Sequence, residues 1–121
     1  MTDQLIQGST PDSQNELNLA QALDHYKMEY IFQYSILGGK GVRGGLVIDF
    51  LVIKAPLPVP VQIQGSYWHS ATMSKYEPFE VAQIEEYAKY AGWDRLLELS
   101  EAETSTYEAA LMAVKQKVGV A

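Results

Sequence analysis

A single carboxylate inside an apolar run is the feature that most constrains how this chain folds. The run Leu46–Ile53 reads Leu-Val-Ile-Asp-Phe-Leu-Val-Ile, and Asp49 is its only polar residue. Such a run of β-branched and other apolar residues favours a buried strand. An ionised carboxylate in a buried strand is costly unless it is hydrogen-bonded, paired with a cation or bound to a metal. The simplest functional hypothesis is therefore that Asp49 is a metal ligand.

Asp49 also has a purely structural interpretation. Its charge can be neutralised by Arg43 or Lys54, or its oxygens can accept hydrogen bonds from backbone amides. The residue alone leaves both interpretations open.

Length and composition predict one domain. The chain has 121 residues, of which 47% are hydrophobic, and we expect a flexible polar tail over residues 1–9 followed by a single domain over residues 10–121. The absence of cysteine excludes disulfides, zinc–thiolate sites and thiol nucleophiles. Without a basic leader or a long apolar segment, the sequence predicts a cytoplasmic protein with no membrane partner. The net charge of −6 opposes non-specific attraction to nucleic acid, so such a function requires a local basic patch or a partner.

The order of helical and strand patterns predicts an α/β (α+β) fold. The predicted elements are a helix over residues 11–26 capped at Thr10, strands over residues 29–37, 46–53 and 59–64, a helix over residues 78–91 ended by Gly92, a strand over residues 93–99, and a helix capped within residues 104–108 that ends near Val118. This order indicates a mixed sheet flanked by helices.

A glycine-rich segment precedes the strand that contains Asp49. Gly39, Gly41 and Gly44 match G-x-G-x-x-G, but in dinucleotide-binding proteins that pattern follows a strand and opens a helix, whereas here it opens a strand. We therefore favour a hairpin whose glycines supply positive φ angles. A further interpretation keeps the hairpin and lets Lys40 and Arg43 contact nucleic-acid phosphates.

The segments around Asp49 resemble a known superfamily of nucleases. Gly-Gly-Leu-Val-Ile-Asp-Phe is followed by Val-Gln-Ile-Gln-Gly-Ser-Tyr-Trp-His, which ends at His69, and an acid, Glu16, lies on the preceding helix. This pattern resembles the PD-(D/E)XK nuclease superfamily, in particular the branch of very-short-patch repair endonucleases and related small phage or bacterial proteins. The likeness spans about residues 16–99, and its specific part is residues 44–69.

The resemblance implies a fold, an activity and a set of roles. It implies a restriction-endonuclease-like αβββαβ core and hydrolysis of DNA phosphodiester bonds with Mg²⁺ or Mn²⁺. Asp49 and Gln62 would be metal ligands, and Gln64 would complete the (D/E)-x-K element. Glu16 would adjust the metal or its water, and His69 would act as a general acid or base.

Two aromatic residues and the basic pair complete the implied DNA contacts. Tyr67 and Trp68 can stack on bases, although large aromatics also fill cores and interfaces. With Lys40 and Arg43, they form the predicted nucleic-acid-binding set.

The chain departs from the nuclease pattern at two positions. Gln62 replaces a carboxylate, which weakens the attraction for Mg²⁺, and Gln64 replaces the usual lysine, a role that Lys75 or Lys89 could supply instead. These departures support a second hypothesis, in which the protein is a catalytically degenerate relative that serves as a DNA-binding or structural, oligomeric subunit, in a phage or mobile-element context. A third hypothesis is a homo-oligomeric scaffold whose aromatic residues and proline-rich loop form the subunit interface.

Overall fold

The computed structural model describes residues 4–38, 45–64 and 77–120 and has the predicted α+β order. The elements are helix α1 Gln14–His25, strands β1 Glu29–Ile36, β2 Leu46–Ile53 and β3 Val59–Gln64, helix α2 Glu77–Ala91, strand β4 Leu97–Ser100, a 3₁₀ turn Ala102–Thr104, helix α3 Tyr107–Ala113 and a π-helical turn Val114–Gly119. The mixed α/β class that the sequence predicts is confirmed.

The four strands form one mixed sheet in the order β1-β2-β3-β4. The pairs β1–β2 and β2–β3 are antiparallel, whereas β3 and β4 are parallel. A parallel pair needs a crossover connection, and α2 lies within that connection. The sheet therefore brings β2 and β3 side by side, which places the Asp49 strand next to the Gln62 strand.

Two buried clusters hold the helices on the sheet. The larger cluster joins α1, α3 and the π-helical turn to the strands, and it includes Phe50 and Val52 of β2. The smaller cluster consists of Ile36, Ile48 and Ile84, the last of which lies on α2. Strand β2 thus contributes to both clusters, and Asp49 lies between the residues that enter them.

Helix α1 begins later than predicted, and the cap is Ser13 rather than Thr10. The Ser13 side chain accepts a hydrogen bond from the Glu16 amide at 3.2 Å, and Glu16 Oε1 accepts one from the Asp12 amide at 2.6 Å. This arrangement is close to a capping box, in which a serine and a glutamate three residues later satisfy the free amides at a helix start. The cap therefore fixes both the first turn and the position of the Glu16 side chain.

The fourth strand is shorter than predicted because its first residues complete the end of α2. Gly92 has a φ of 77°, and the Trp93 amide donates to the Ala88 carbonyl at 2.8 Å. This is a Schellman-type helix end, which glycine permits at low cost. The strand begins only at Leu97.

The last helix is divided. Thr106 caps α3 by accepting a hydrogen bond from the Ala109 amide at 3.0 Å, within the predicted capping segment. The α-helix ends at Ala113, and residues up to Gly119 form the π-helical turn instead of continuing to Val118 as α-helix. No helix in the described part of the chain has both the length and the apolar character needed to cross a membrane.

Two residues of the segment predicted as a flexible tail contact the folded part of the chain. Ile6 is 2% exposed and belongs to the larger core cluster. The Gln7 side chain accepts a hydrogen bond from the Phe32 amide of β1 at 2.8 Å. Short-range composition does not reveal these contacts, because one apolar side chain and one amide make them with distant residues.

The capping arrangement predicts a graded effect of substitutions at Ser13. Ser13→Ala removes the acceptor for the Glu16 amide, so we expect the free energy of unfolding to fall by about 1 kcal/mol. Ser13→Asn, which retains an N-cap acceptor, is the matched control and should stay close to the wild type. Urea titration followed by circular dichroism measures both, and equal values for the two variants would contradict the assigned cap.

Candidate functional site: a carboxylate cleft where the pairing of β2 with β3 ends

Strands β2 and β3 lose their regular backbone pairing at Asp49. The paired residues of the two strands run from Val52↔Val59 to Phe50↔Val61, and the regular pairing ends there. At the next position the Asp49 amide donates to Gln62 Oε1 at 2.6 Å, and the Ile63 amide donates to Asp49 Oδ2 at 2.9 Å. Two side chains thus replace the backbone acceptors that a continued ladder would supply.

The pairing on the other side of β2 is also interrupted at Asp49. The register of β1 with β2 includes Phe32↔Phe50 and Tyr34↔Ile48 but omits Gln33, which has a φ of 56°. A positive φ is uncommon for a residue with a side chain and marks a local distortion of the strand. Asp49 therefore lies at an irregular point in both of its sheet contacts, which leaves space beside it.

That space is part of a cleft of about 930 Å³. Four of the sequence-predicted site residues line it: Asp49 of β2, Gln62 and Gln64 of β3, and Glu16 of α1. The structure thus brings these four together: antiparallel pairing of β2 with β3 places Asp49 near the two glutamines, and α1 contributes Glu16. Their catalytic and metal-binding roles remain predictions.

Acidic side chains predominate among the described charged residues that line the cleft. The carboxylates that line it are those of Asp12, Glu16, Asp49, Glu80 and Glu101. No lysine or arginine lines it within residues 4–38, 45–64 and 77–120. Such a surface attracts cations and repels a phosphate group unless protons or metal ions neutralise part of its charge.

Glu16 is a buried residue, with 6% of its surface exposed. Burial is the main cause that raises its pKa to about 7, and the negative charges of Asp49 and Asp12 raise the pKa further. The hydrogen bonds from the Asp12 and Ser13 backbone act in the opposite direction. Glu16 therefore exchanges a proton near neutral pH, as a general acid or base must.

Asp49 also has a raised pKa. Burial is again the main cause and raises the pKa to about 6, while the hydrogen bond from the Ile63 amide lowers it and the charge of Asp12 raises it. Among the described residues, no basic side chain contributes to this shift, and Arg43, one of the two predicted partners, lies outside them. A backbone amide satisfies one of its oxygens, in agreement with one of the structural alternatives.

The other structural alternative required a basic neighbour. Lys54 donates to the Val118 carbonyl at 3.0 Å, and is therefore engaged at the C-terminal turn. Lys89, one of the candidates to replace the missing lysine, lines a different groove with Trp93 and Arg95. Among the described residues, neither lysine lines the cleft.

The two glutamines have different environments. Gln62 Oε1 accepts the Asp49 amide, but a carbonyl oxygen has two lone pairs and can still contribute a second interaction. Gln64 Nε2 donates to Glu98 on the neighbouring strand β4. Gln62 is therefore held against Asp49, whereas the amide group of Gln64 is tied to the next strand.

Five other predicted site residues lie outside the described residues: Lys40, Arg43, Tyr67, Trp68 and His69. Their assignments to DNA binding and to acid–base catalysis stay predictions. The same holds for Lys75 as a replacement lysine.

The donor set of the cleft suits a hard divalent cation. Carboxylate and amide oxygens are the ligands that Mg²⁺ and Ca²⁺ prefer, and Glu16, Asp49 and Gln62 supply them from two adjacent strands and a helix. In the described part of the chain, however, no three His, Cys, Asp or Glu side chains are grouped closely enough to hold a metal by themselves. Any cation here thus needs the glutamine, backbone oxygens or water among its ligands.

Sequence reasoning missed Asp12 and Glu80. Asp12 acts electrostatically on both Glu16 and Asp49, and Glu80 lines the cleft from α2. A cap at Ser13 would have placed Asp12 beside the helix start. No comparable local signal identifies Glu80, because its position depends on how α2 packs.

The two raised pKa values predict an unusual dependence of stability on pH. Each group binds its proton more tightly in the folded than in the unfolded chain. Its contribution to the free energy of unfolding is therefore fully present below about pH 4 and is lost as the pH rises through 6 and 7. The wild type should lose free energy of unfolding between pH 5 and pH 8. We expect Glu16→Gln to lose roughly 2–3 kcal/mol less over the same interval. Exposed Glu86→Gln serves as the control.

Denaturant unfolding at both pH values measures this difference. Identical pH dependence in wild type, Glu16→Gln and Glu86→Gln would show that Glu16 titrates in the same range in the folded and unfolded chain.

Comparison with protein-family models, with characterised proteins and with solved structures gives no match for this chain. The function is therefore argued from the cleft itself.

Proposed function

We propose that this protein is a divalent-cation-dependent endonuclease that hydrolyses phosphodiester bonds in DNA. The observation that carries the proposal is that Asp49, Glu16 and Gln62 line one acidic cleft, where the regular pairing of β2 with β3 ends. The order of α1, three strands, α2 and β4 agrees with the αβββαβ core that the sequence resemblance implies.

The electrostatics of the cleft support a cation. Two of the acidic side chains have pKa values raised to about 7 and about 6, mainly because burial disfavours their ionised forms. A divalent cation bound to these carboxylates would stabilise the ionised forms. When bound, Mg²⁺ or Mn²⁺ supplies Lewis-acid stabilisation of the phosphate oxygens and lowers the pKa of a bound water.

The residues of the chain hold and orient this site in distinct ways. The Ile63 amide donates to Asp49 Oδ2, and the Asp49 amide donates to Gln62 Oε1. These hydrogen bonds orient the two side chains in the absence of a ligand. Glu16 is held by the cap of α1 and, with a pKa of about 7, can take up or release a proton at neutral pH. His69 remains the other candidate for proton transfer.

DNA as the substrate rests on the resemblance and on the position of the predicted basic residues in the chain. Because the described cleft is lined by acids, affinity for a polyanion must come from elsewhere. Lys40 and Arg43 precede Gly45, which lines the cleft, and Tyr67, Trp68 and His69 follow Gln64, which also lines it. Lys40, Arg43, Tyr67 and Trp68 are the proposed DNA contacts, and His69 is the proposed acid or base.

A second candidate function is supported by the glutamines. Gln62 brings no charge to the cleft, and the side-chain amide of Gln64 donates a hydrogen bond to Glu98. A protein of this kind that binds DNA without cutting it would act as a binding or structural subunit. Binding of Mn²⁺ and DNA with no cleavage of plasmid, mismatched or branched DNA would favour this candidate.

Removal of the Asp49 charge should abolish cation binding and cleavage. Asp49→Asn retains an oxygen that can accept the Ile63 amide, so it tests the charge with little change in the sheet. Asp94→Asn, at an exposed position, is the matched control. Calorimetry with Mn²⁺ and Mg²⁺ and a plasmid cleavage assay provide the two readouts.

Two results would contradict this proposal. If the wild type binds neither cation, the metal site is rejected. If cleavage persists in Asp49→Asn at the wild-type rate, the cleft is not the active site.

Addition of a carboxylate at position 62 should strengthen cation binding. Gln62→Glu still offers an oxygen to the Asp49 amide and adds one negative charge to the ligand set, so we expect Mn²⁺ affinity to rise on the order of tenfold. Gln116→Glu, at an exposed position in the π-helical turn, controls for net charge. Calorimetric affinities that are equal for the two variants would exclude residue 62 from the cation site.

A further inference from the structure

A side chain from the start of the chain occupies the outer edge of the sheet. Among the strands that the structure describes, β1 lies at one edge of the sheet. Gln7 Nε2 donates to the Tyr30 carbonyl, and the Phe32 amide donates to Gln7 Oε1 at 2.8 Å. One side-chain amide therefore satisfies the same donor and acceptor that an added antiparallel strand would bind.

A tight turn presents this side chain. Ile6 and Ser9 exchange two backbone hydrogen bonds at 2.8 and 2.9 Å, and the two residues between them, Gln7 and Gly8, have φ angles of 52° and 83°. Positive φ at both central positions is the type I′ geometry, in which glutamine is unusual. We name residues 6–9 the strap. Ile6, at 2% exposure, anchors it in the core.

The edge beneath the strap is complementary to itself. If two copies of β1 pair antiparallel about a two-fold axis at Ile31, each Tyr30 faces the other copy's Phe32. In that register the Phe32 amide of one copy reaches the Tyr30 carbonyl of the other, so the pairing uses the two groups that Gln7 now occupies.

The side chains also fit this register. Ile31 is 41% exposed and would face Ile31 of the second copy, which buries an apolar pair at the axis. Glu29, the only charged residue of β1, lies two positions from the axis and does not face its own copy, so no like charges are opposed. An isologous contact of this kind needs no partner other than the chain itself.

We infer that the β1 edge is a pairing surface for a second copy of this chain, and that the strap keeps it closed through Gln7. The chain with an intact strap is a monomer. Release of the strap converts it to an edge-paired dimer, independently of any cation or DNA at the cleft.

Substitutions at Gln7 test the strap without disturbing its turn. Gln7→Gly removes both side-chain bonds and suits a positive φ, so the dimer dissociation constant should fall by about tenfold for each bond released, about 100-fold in total. Gln7→Glu keeps the acceptor and loses the donor, so it should lie between. Leu5→Ala, which alters an exposed side chain just before the strap, is the matched control. Light scattering over a concentration series measures the constant.

A second substitution identifies the surface. Ile31→Lys opposes two positive charges at the proposed axis and should return Gln7→Gly to a monomer. A Gln7→Gly chain that is folded by circular dichroism and stays monomeric overturns the inference. Two other results also overturn the inference: a Gln7→Gly dimer that persists when Ile31→Lys is added, and a wild-type chain that already forms a dimer through Ile31.

Discussion

The exchange of hydrogen bonds between Asp49 and its neighbours on β3 is the interaction on which the rest of the site depends. Because β2 and β3 lose their regular pairing beyond Phe50 and Val61, a backbone amide on each strand needs another acceptor, and a buried amide without one is costly. Asp49 Oδ2 and Gln62 Oε1 supply these acceptors. The carboxylate is thus part of the sheet as well as of the cleft. The same geometry explains how glutamine fits at position 62, since the acceptor role needs only a carbonyl oxygen, which glutamine and glutamate share.

The sequence was sufficient for the order of the elements and for the pairing of β2 with β3, but not for several element ends. Apolar runs rich in β-branched residues, separated by proline or glycine, are local signals, and they identified three of the four strands closely. The start of α1 and the start of β4 depend instead on which of several suitable groups makes a hydrogen bond. Ser13 rather than Thr10 caps α1, and the Trp93 amide donates to the Ala88 carbonyl at the end of α2 instead of entering β4. Competition of this kind is decided by the folded backbone, so composition cannot resolve it.

The candidate site was predictable to the extent that it follows from strand pairing. Asp49, Gln62 and Gln64 share the cleft because antiparallel strands bring them together, and Glu16 joins them because α1 packs on the same side. The link of Gln64 to Glu98 was not predictable, because it depends on the parallel register of β3 with β4 across a long connection. The contacts of Ile6 and Gln7 were missed for a similar reason, since a short polar segment gives no sign of the distant strand that it binds.

The acidity of the cleft links proton and cation binding. Glu16 and Asp49 have pKa values near 7 and 6 because burial and neighbouring charges disfavour their ionised forms. A cation interacts with those ionised forms, so it must displace whatever protons they hold. At the proposed cation site, protons and a divalent cation would therefore be alternative ways to neutralise the same two charges. In the proposed function, DNA would meet a different cleft in each state. With only protons on Glu16 and Asp49, the cleft would still be lined by Asp12, Glu80 and Glu101 and would offer no positive centre. A bound divalent cation would place positive charge beside Asp49, where a phosphate oxygen could interact with it.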